Sequence, residues 1–275
     1  MVIGNPMIFR QYPLDRALRI LTEFGYQGVE LWAPQIEICK TDRLRGQLAQ
    51  FVSSLGLTTM GVNSADANYF SALSSPREAD SILAGLKHDI DIVQTLEADY
   101  LLTWEGRKPE GVKENEIYGW VLDETVNIFR SAVSYAMDRN VRLFIEVHPY
   151  TLGIDTEWAC QLYDRVDSDT FGIAYDCCHF GVGLPNDYID AIYQLGHRIK
   201  LLHFSDSDKV SSELHFAPGT GVLDLDGIVS ALKQIGFQGA TMLDLWLYPL
   251  PGEGSRSGVP YMVEMRERLN ITSQY

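Results

Sequence analysis

The sequence predicts an α/β protein folded as a single (β/α)8 TIM barrel, a parallel eight-stranded sheet spanning residues 1–275. Three observations carry this expectation: eight short runs of β-branched and aliphatic residues, an amphipathic stretch after each, and no linker that would divide the chain. Strand starts recur about every 27 to 42 residues, room for one crossover helix each, and such crossovers make neighbouring strands parallel. Eight units of this kind close into a barrel. The open doubly wound sheet is the alternative, but its first strand-to-helix turn carries a glycine-rich phosphate loop, and GxGxxG is absent here.

The first strand is expected over Val2–Phe9. The helix after it places Leu14, Ala17, Leu18, Leu21 and Phe24 on one face, and Gly25 can take the positive φ that ends it. Strands then follow at Gly28–Trp32, Thr58–Asn63 and Asp99–Trp104, with helices over 41–56, 78–97 and 120–139. The second half repeats the rhythm with strands Val141–His148, Phe171–Asp176, Ile199–Ser205 and Ala240–Trp246, and helices over 156–166, 187–197, 225–236 and 259–269. The segment Phe24–Gly28 resembles Ile235–Gly239, a repeated helix-to-strand connector. Pro249–Pro260, rich in glycine and proline, is expected to cover the pocket or to form a subunit contact.

Charge excludes some functions. With 22 Lys+Arg against 37 Asp+Glu the net charge is −15, which repels phosphate backbones and argues against nucleic acid as a partner. The amino terminus lacks a basic region followed by a long apolar run, and no window approaches the ~20 apolar residues of a membrane span. A soluble, cytoplasmic protein with no membrane partner is expected. The four cysteines, Cys39, Cys160, Cys177 and Cys178, have neither zinc-site spacing nor a disulfide framework, so reduced thiols are expected, with one of the adjacent pair facing into the barrel and one out.

In a barrel the chemistry sits at the carboxyl ends of the strands. There the sequence places Glu146 and His148, then Asp176 and His179, then His203, and finally Asp244. Carboxylates gathered in an apolar barrel are desolvated at a cost of several kcal/mol each and need compensating positive charge. A divalent cation held by Glu146, Asp176, His203 and Asp244 supplies it; a polar cluster satisfied by hydrogen bonds is the other reading. Three oxygens and one imidazole suit Mn²⁺ or Mg²⁺, and the histidine also admits Zn²⁺ or Co²⁺.

The succession Glu146, Asp176-Cys-Cys-His179, His203-Phe-Ser-Asp206, Glu213-Leu-His215, Gly219-Thr-Gly221 and Asp244 resembles the xylose-isomerase-like barrel superfamily. That group spans ketose epimerases, inosose and dehydroshikimate dehydratases, hydroxypyruvate isomerases and the endonuclease IV type of nuclease. The likeness implies that Glu146, Asp176, His203 and Asp244 are metal ligands. It further implies that a small sugar or related polyhydroxy carbonyl compound is isomerised or epimerised through an enediolate. Glu146 and Asp244 would be the paired carboxylates that move the proton. Three departures stand out. Asp244 occupies a position where these families usually carry Glu; Leu152 replaces a substrate-binding carboxylate; and Asn63 and Trp104 stand where the nuclease has zinc-binding histidines. Dehydratase chemistry and a catalytically inactive sugar-binding relative are the alternatives, and a homodimer is expected.

Further residues are expected to bind substrate. His148, His179 and His215 are candidates for substrate hydroxyls; for His148 and His179 the plainer reading is a hydrogen bond that orients a carboxylate, and for His215 it is a histidine that caps its loop. Lys209 could pair with an anionic oxygen, Glu213 follows in the same loop, and Glu30 is a carboxylate inside an apolar pentapeptide, expected to hydrogen-bond in the pocket floor. Trp32, Trp104 and Trp246 fall at three strand ends, where they can wall the apolar faces of a sugar or serve as core packing.

Overall fold

In a computed structural model, which describes residues 1–64 and 78–271, the strands pair in sequence order and the eighth closes on the first. They are β1 Ile3–Gly4, β2 Gly28–Trp32, β3 Thr58–Asn63, β4 Tyr100–Thr103, β5 Arg142–Glu146, β6 Phe171–Asp176, β7 Ile199–Phe204 and β8 Ala240–Leu243, each parallel to its neighbours. The crossover helices are α1 Leu14–Glu23, α2 Asp42–Ser54, α3 Ala79–Thr95, α4 Leu122–Met137, α5 Thr156–Val166, α6 Tyr188–Leu195, α7 Leu225–Gln234 and α8 Pro251–Arg268.

Strand alternation divides the core in two. Outward residues such as Val29, Leu31, Leu143, Ile173 and Leu202 pack against the helices. Ile3, Met60, Tyr100, Leu102, Phe144, Ala174, Leu201 and Met242 form a second cluster, the filled barrel interior. β2 departs from this pattern, because Val29 and Leu31 take its outward positions and Glu30 therefore points in, fully buried.

Several boundaries differ from the sequence expectation. The first strand is cut to two residues because Asn5 caps a 3-10 turn over Pro6–Phe9, its side chain accepting from the Met7 N–H. β5 and β8 end at Glu146 and Leu243, so His148, Asp244 and Trp246 lie on the loops just beyond them. Cys177 and Cys178 open a short helix, Cys177–Gly183, so strand alternation does not apply and both are buried.

From Pro251 on, the Pro249–Pro260 segment is the first half of α8 and not a cover over the pocket. Its small residues allow a close approach to the barrel wall: a Cβ at Gly258 would stand 2.6 Å from Leu243, and one at Gly254 3.0 Å from Leu245. Among the described residues no helix is long and apolar enough to cross a membrane.

Candidate metal centre

Four side chains, three at the ends of β5, β6 and β7 and one just past β8, converge at the carboxyl end of the barrel, and each has one polar atom fastened to the protein and the other aimed inward. Glu146, the last residue of β5, accepts at Oε2 from Trp104 Nε1 at 3.2 Å and faces His148 Nε2 at 3.3 Å. Asp176, the last residue of β6, caps the following short helix, its Oδ1 accepting from the His179 N–H at 2.8 Å. Asp244 accepts at Oδ1 from the Trp246 N–H at 2.9 Å. His203, on β7, sets Nε2 against Glu30 Oε2 at 3.3 Å.

The inward atoms then meet. His203 Nδ1 is 2.6 Å from Glu146 Oε1, 3.8 Å from Asp176 Oδ2 and 3.9 Å from Asp244 Oδ2. The four ligand atoms all lie within 4.8 Å of one another. Asp176 Oδ2 and His203 Nδ1 are buried without a hydrogen-bond partner of acceptable geometry. Orphaned donors and acceptors of this kind are costly, and a cation at their common point satisfies them together. Three carboxylate oxygens and one imidazole nitrogen are a donor set for Mn²⁺, Mg²⁺, Zn²⁺ or Co²⁺, so the residues fit the metal that the fold implies.

Electrostatics are arranged to the same end. Burial opposes ionisation of Glu146, but His203 and His148 outweigh it and hold the carboxyl well below the usual range. Burial pushes Asp176 up to about 7. Burial likewise opposes charge on Asp244, yet His215, with Nδ1 3.0 Å from its Oδ2, keeps it low. The rings of His203 and His215 are driven well above the ordinary histidine range despite their burial, by Glu30 and Glu146 in one case and by Asp244 and Asp176 in the other.

Above the four residues lies a cavity of about 160 Å³, lined by Met7, Trp32, Asn63, Trp104, Glu146, His148, His179, Glu213, His215, Asp244 and Trp246. Burial pushes His148 and, more strongly, His179 below the ordinary histidine range, which leaves neutral rings able to donate and accept. Their centroids are 3.7 Å apart. Trp32 and Trp246 pack at 5.7 Å and Trp104 lies 3.6 Å from the His148 ring, so all three tryptophans wall the cavity. Glu213 sits at the rim, accepting from Trp246 Nε1 at 3.1 Å and Tyr150 O–H at 3.3 Å. The loop that carries Glu213 and His215 is gathered by Asp206, whose carboxylate accepts from the N–H groups of Ser207, Gly219, Gly221 and Leu223.

Lys209 does not join the site. Its Nζ donates to the Pro185 carbonyl at 2.9 Å and lies over the Tyr188 ring, and it is absent from the cavity wall. Leu152 likewise lines no part of the cavity. Cys178 Sγ meets Ser207 Oγ at 3.4 Å and the Ser211 carbonyl at 3.5 Å, a buried thiol that braces the loop. Sequence reading missed Met7 as a lining residue, and it missed Asn5 and Tyr100 beneath the site.

A closed parallel barrel with an acidic, imidazole-bearing centre at its carboxyl end defines a (β/α)8 protein with a candidate metal centre. The family model for the xylose isomerase-like TIM barrel matches residues 18–265, and the chain belongs to that family. It is similar to the inosose isomerase of Bacillus velezensis, 22% identical over 240 residues covering 85% of this chain and 83% of that one. It is similar also to the fructoselysine 3-epimerase of Shigella flexneri, 22% identical over 250 residues covering 86% of each. Among solved structures, the IOLI protein with a zinc atom aligns over 100% of both chains with a TM-score of 0.76 and 18% identity.

Proposed function

We propose that the protein is a divalent-metal-dependent isomerase or epimerase of a small sugar or related polyhydroxy carbonyl compound, acting in the cytoplasm. The observation that carries this reading is the convergence of Glu146, Asp176, His203 and Asp244, each with one atom anchored and the other turned to a shared point. The two relatives named above are an isomerase and a 3-epimerase.

Glu146, Asp176, His203 and Asp244 would hold the cation, and when bound it would supply Lewis-acid polarisation of a substrate carbonyl. The chain's own residues do the rest. Glu146 enters from the end of β5 and Asp244 from the loop just past β8, and both line the cavity. One removes the proton α to the carbonyl while the other returns a proton from the opposite side. His148 and His179, held neutral, hydrogen-bond substrate hydroxyls, and Trp32, Trp104 and Trp246 cover the apolar C–H faces and exclude water. Mn²⁺ or Mg²⁺ suits the three oxygens, and Zn²⁺ or Co²⁺ also suits the imidazole.

Incubation with a panel of ketoses, aldoses and inososes in D₂O, with and without Mn²⁺, tests the reading by NMR. Metal-dependent deuterium incorporation next to the carbonyl, with conversion to an isomer or epimer, is expected. Binding with no exchange for any member would contradict it, and release of water would redirect it to a lyase.

A further inference from the structure

Beneath the metal-ligand residues, the barrel interior contains a polar chain that the proposed reaction does not use. Glu30 is fully buried at the inward position of β2. Its Oε1 accepts from Asn5 Nδ2 at 3.4 Å, and its Oε2 accepts from Tyr100 O–H at 2.8 Å and faces His203 Nε2 at 3.3 Å. Asn5 cannot turn its amide round, because its Oδ1 is already committed to the Met7 N–H at 2.9 Å. Tyr100 reaches Glu30 because β3 has glycine at position 61; a Cβ there would collide with the Tyr100 ring. Both oxygens of Glu30 are thus fixed as acceptors by donors below.

That arrangement determines what His203 can present above. An unprotonated Nε2 would oppose its lone pair to a carboxylate oxygen, so the proton belongs on Nε2 and is donated to Glu30. Nδ1, 2.6 Å from Glu146 Oε1, is then the nitrogen whose proton a cation displaces, and with Nε2–H held by Glu30 its lone pair turns toward Glu146, Asp176 and Asp244, the form in which an imidazole ligates a metal. We infer that Glu30, locked by Asn5 and Tyr100, is the positioning residue that fixes the tautomer and ring orientation of His203 for cation binding. The inference rests on the metal reading given above and assigns to Glu30 a role distinct from that of a ligand.

Glu30→Gln tests it, because the glutamine has one acceptor and one donor end. With its carbonyl toward His203, its amide opposes Asn5 Nδ2. With its amide toward His203, it opposes the Nε2–H and drives the proton to Nδ1, where it blocks the cation. Calorimetric titration of the metal-free protein with Mn²⁺ is expected to show the variant binding about 10- to 100-fold more weakly than wild type. Thermal melts of the metal-free forms are expected to be lower for the variant, since either orientation of the glutamine leaves one buried donor opposed. A role confined to packing would lower the metal-free melt in the same way but leave the affinity unchanged, and that result overturns the inference.

A wild type that takes up no Mn²⁺ overturns the metal reading itself. Wild-type binding equalled by the variant overturns the role of Glu30 alone. Should the variant not fold, ¹⁵N-histidine spectra of the Zn²⁺-loaded wild type decide. His203 is expected to carry a solvent-protected proton on Nε2; a proton on Nδ1 overturns the inference.

Discussion

Glu105 offers a stability test that reads the packing behind the site without touching a metal-ligand residue. It follows Trp104 on the loop after β4 and is buried, with Oε1 accepting from the Gly153 N–H at 2.5 Å and Oε2 without a partner. Burial pushes its carboxyl up to about 7 from 4.5, against the pull of hydrogen bonds from Thr151 and Gly153. The folded protein therefore holds this proton more tightly than the unfolded chain does. Its contribution is fully present below pH 4.5 and is lost as pH rises through about 7. At about 1.4 kcal/mol per pH unit the interval corresponds to about 3 kcal/mol.

Glu105→Gln keeps an acceptor for Gly153 and cannot ionise. Urea denaturation of wild type and variant in EDTA, at about pH 5 and pH 8.5, is expected to show the variant gaining about 3 kcal/mol relative to wild type at the higher pH. Measuring the difference between the two proteins cancels the titration of every other group. A stability difference that stays flat across that range would refute the reasoning, since Glu105 would then ionise as easily folded as unfolded.

Other outcomes follow from the same geometry. Mn²⁺ at about 100 times its dissociation constant is expected to stabilise the fold by about 3 kcal/mol, a rise in melting temperature on the order of 5–10 °C by scanning calorimetry, reversed by EDTA. Gly153→Ala puts a Cβ 2.6 Å from Glu105 Oε1 and 2.9 Å from Val147 Cγ2, so a loss of about 1–3 kcal/mol is expected by urea denaturation. Trp104→Phe keeps a ring against His148 but removes the N–H donated to Glu146, and kcat/KM is expected to fall roughly tenfold, the worth of one hydrogen bond to a charged group. Lys209→Ala is expected to leave kcat and KM unchanged, because the ammonium is engaged outside the cavity; a tenfold change would return Lys209 to the site.

The limits of the sequence reading follow local chemistry. β2, β3 and β6 occupy the predicted residues because each is a short run dominated by aliphatic, aromatic and β-branched residues and closed by a polar or aromatic one. β1 and α8 differ where a side chain or a small residue changes the outcome: Asn5 caps a turn that ends the strand, and the glycines of α8 permit a helix to lie against the barrel where composition reads as loop. The ligand candidates were legible because carboxylates and histidines after apolar strands need a physical reason, and Glu30 was legible as an oddity for the same reason. Tyr100 and Asn5 were not. A tyrosine in an apolar strand reads as core, and its hydroxyl partner lies 70 residues away in sequence, so only the closed barrel brings the two together. Lys209 shows the converse: its spacing from His203 placed it near the mouth, but the Pro185 carbonyl and the Tyr188 ring hold its ammonium elsewhere.

The most direct test is anomalous diffraction at the manganese edge from crystals of the full chain grown with Mn²⁺. The account predicts one dominant peak about 2.0–2.3 Å from Glu146 Oε1, Asp176 Oδ2, His203 Nδ1 and Asp244 Oδ2 together. A barrel whose four side chains keep their mutual contacts while no peak stands among them would contradict it.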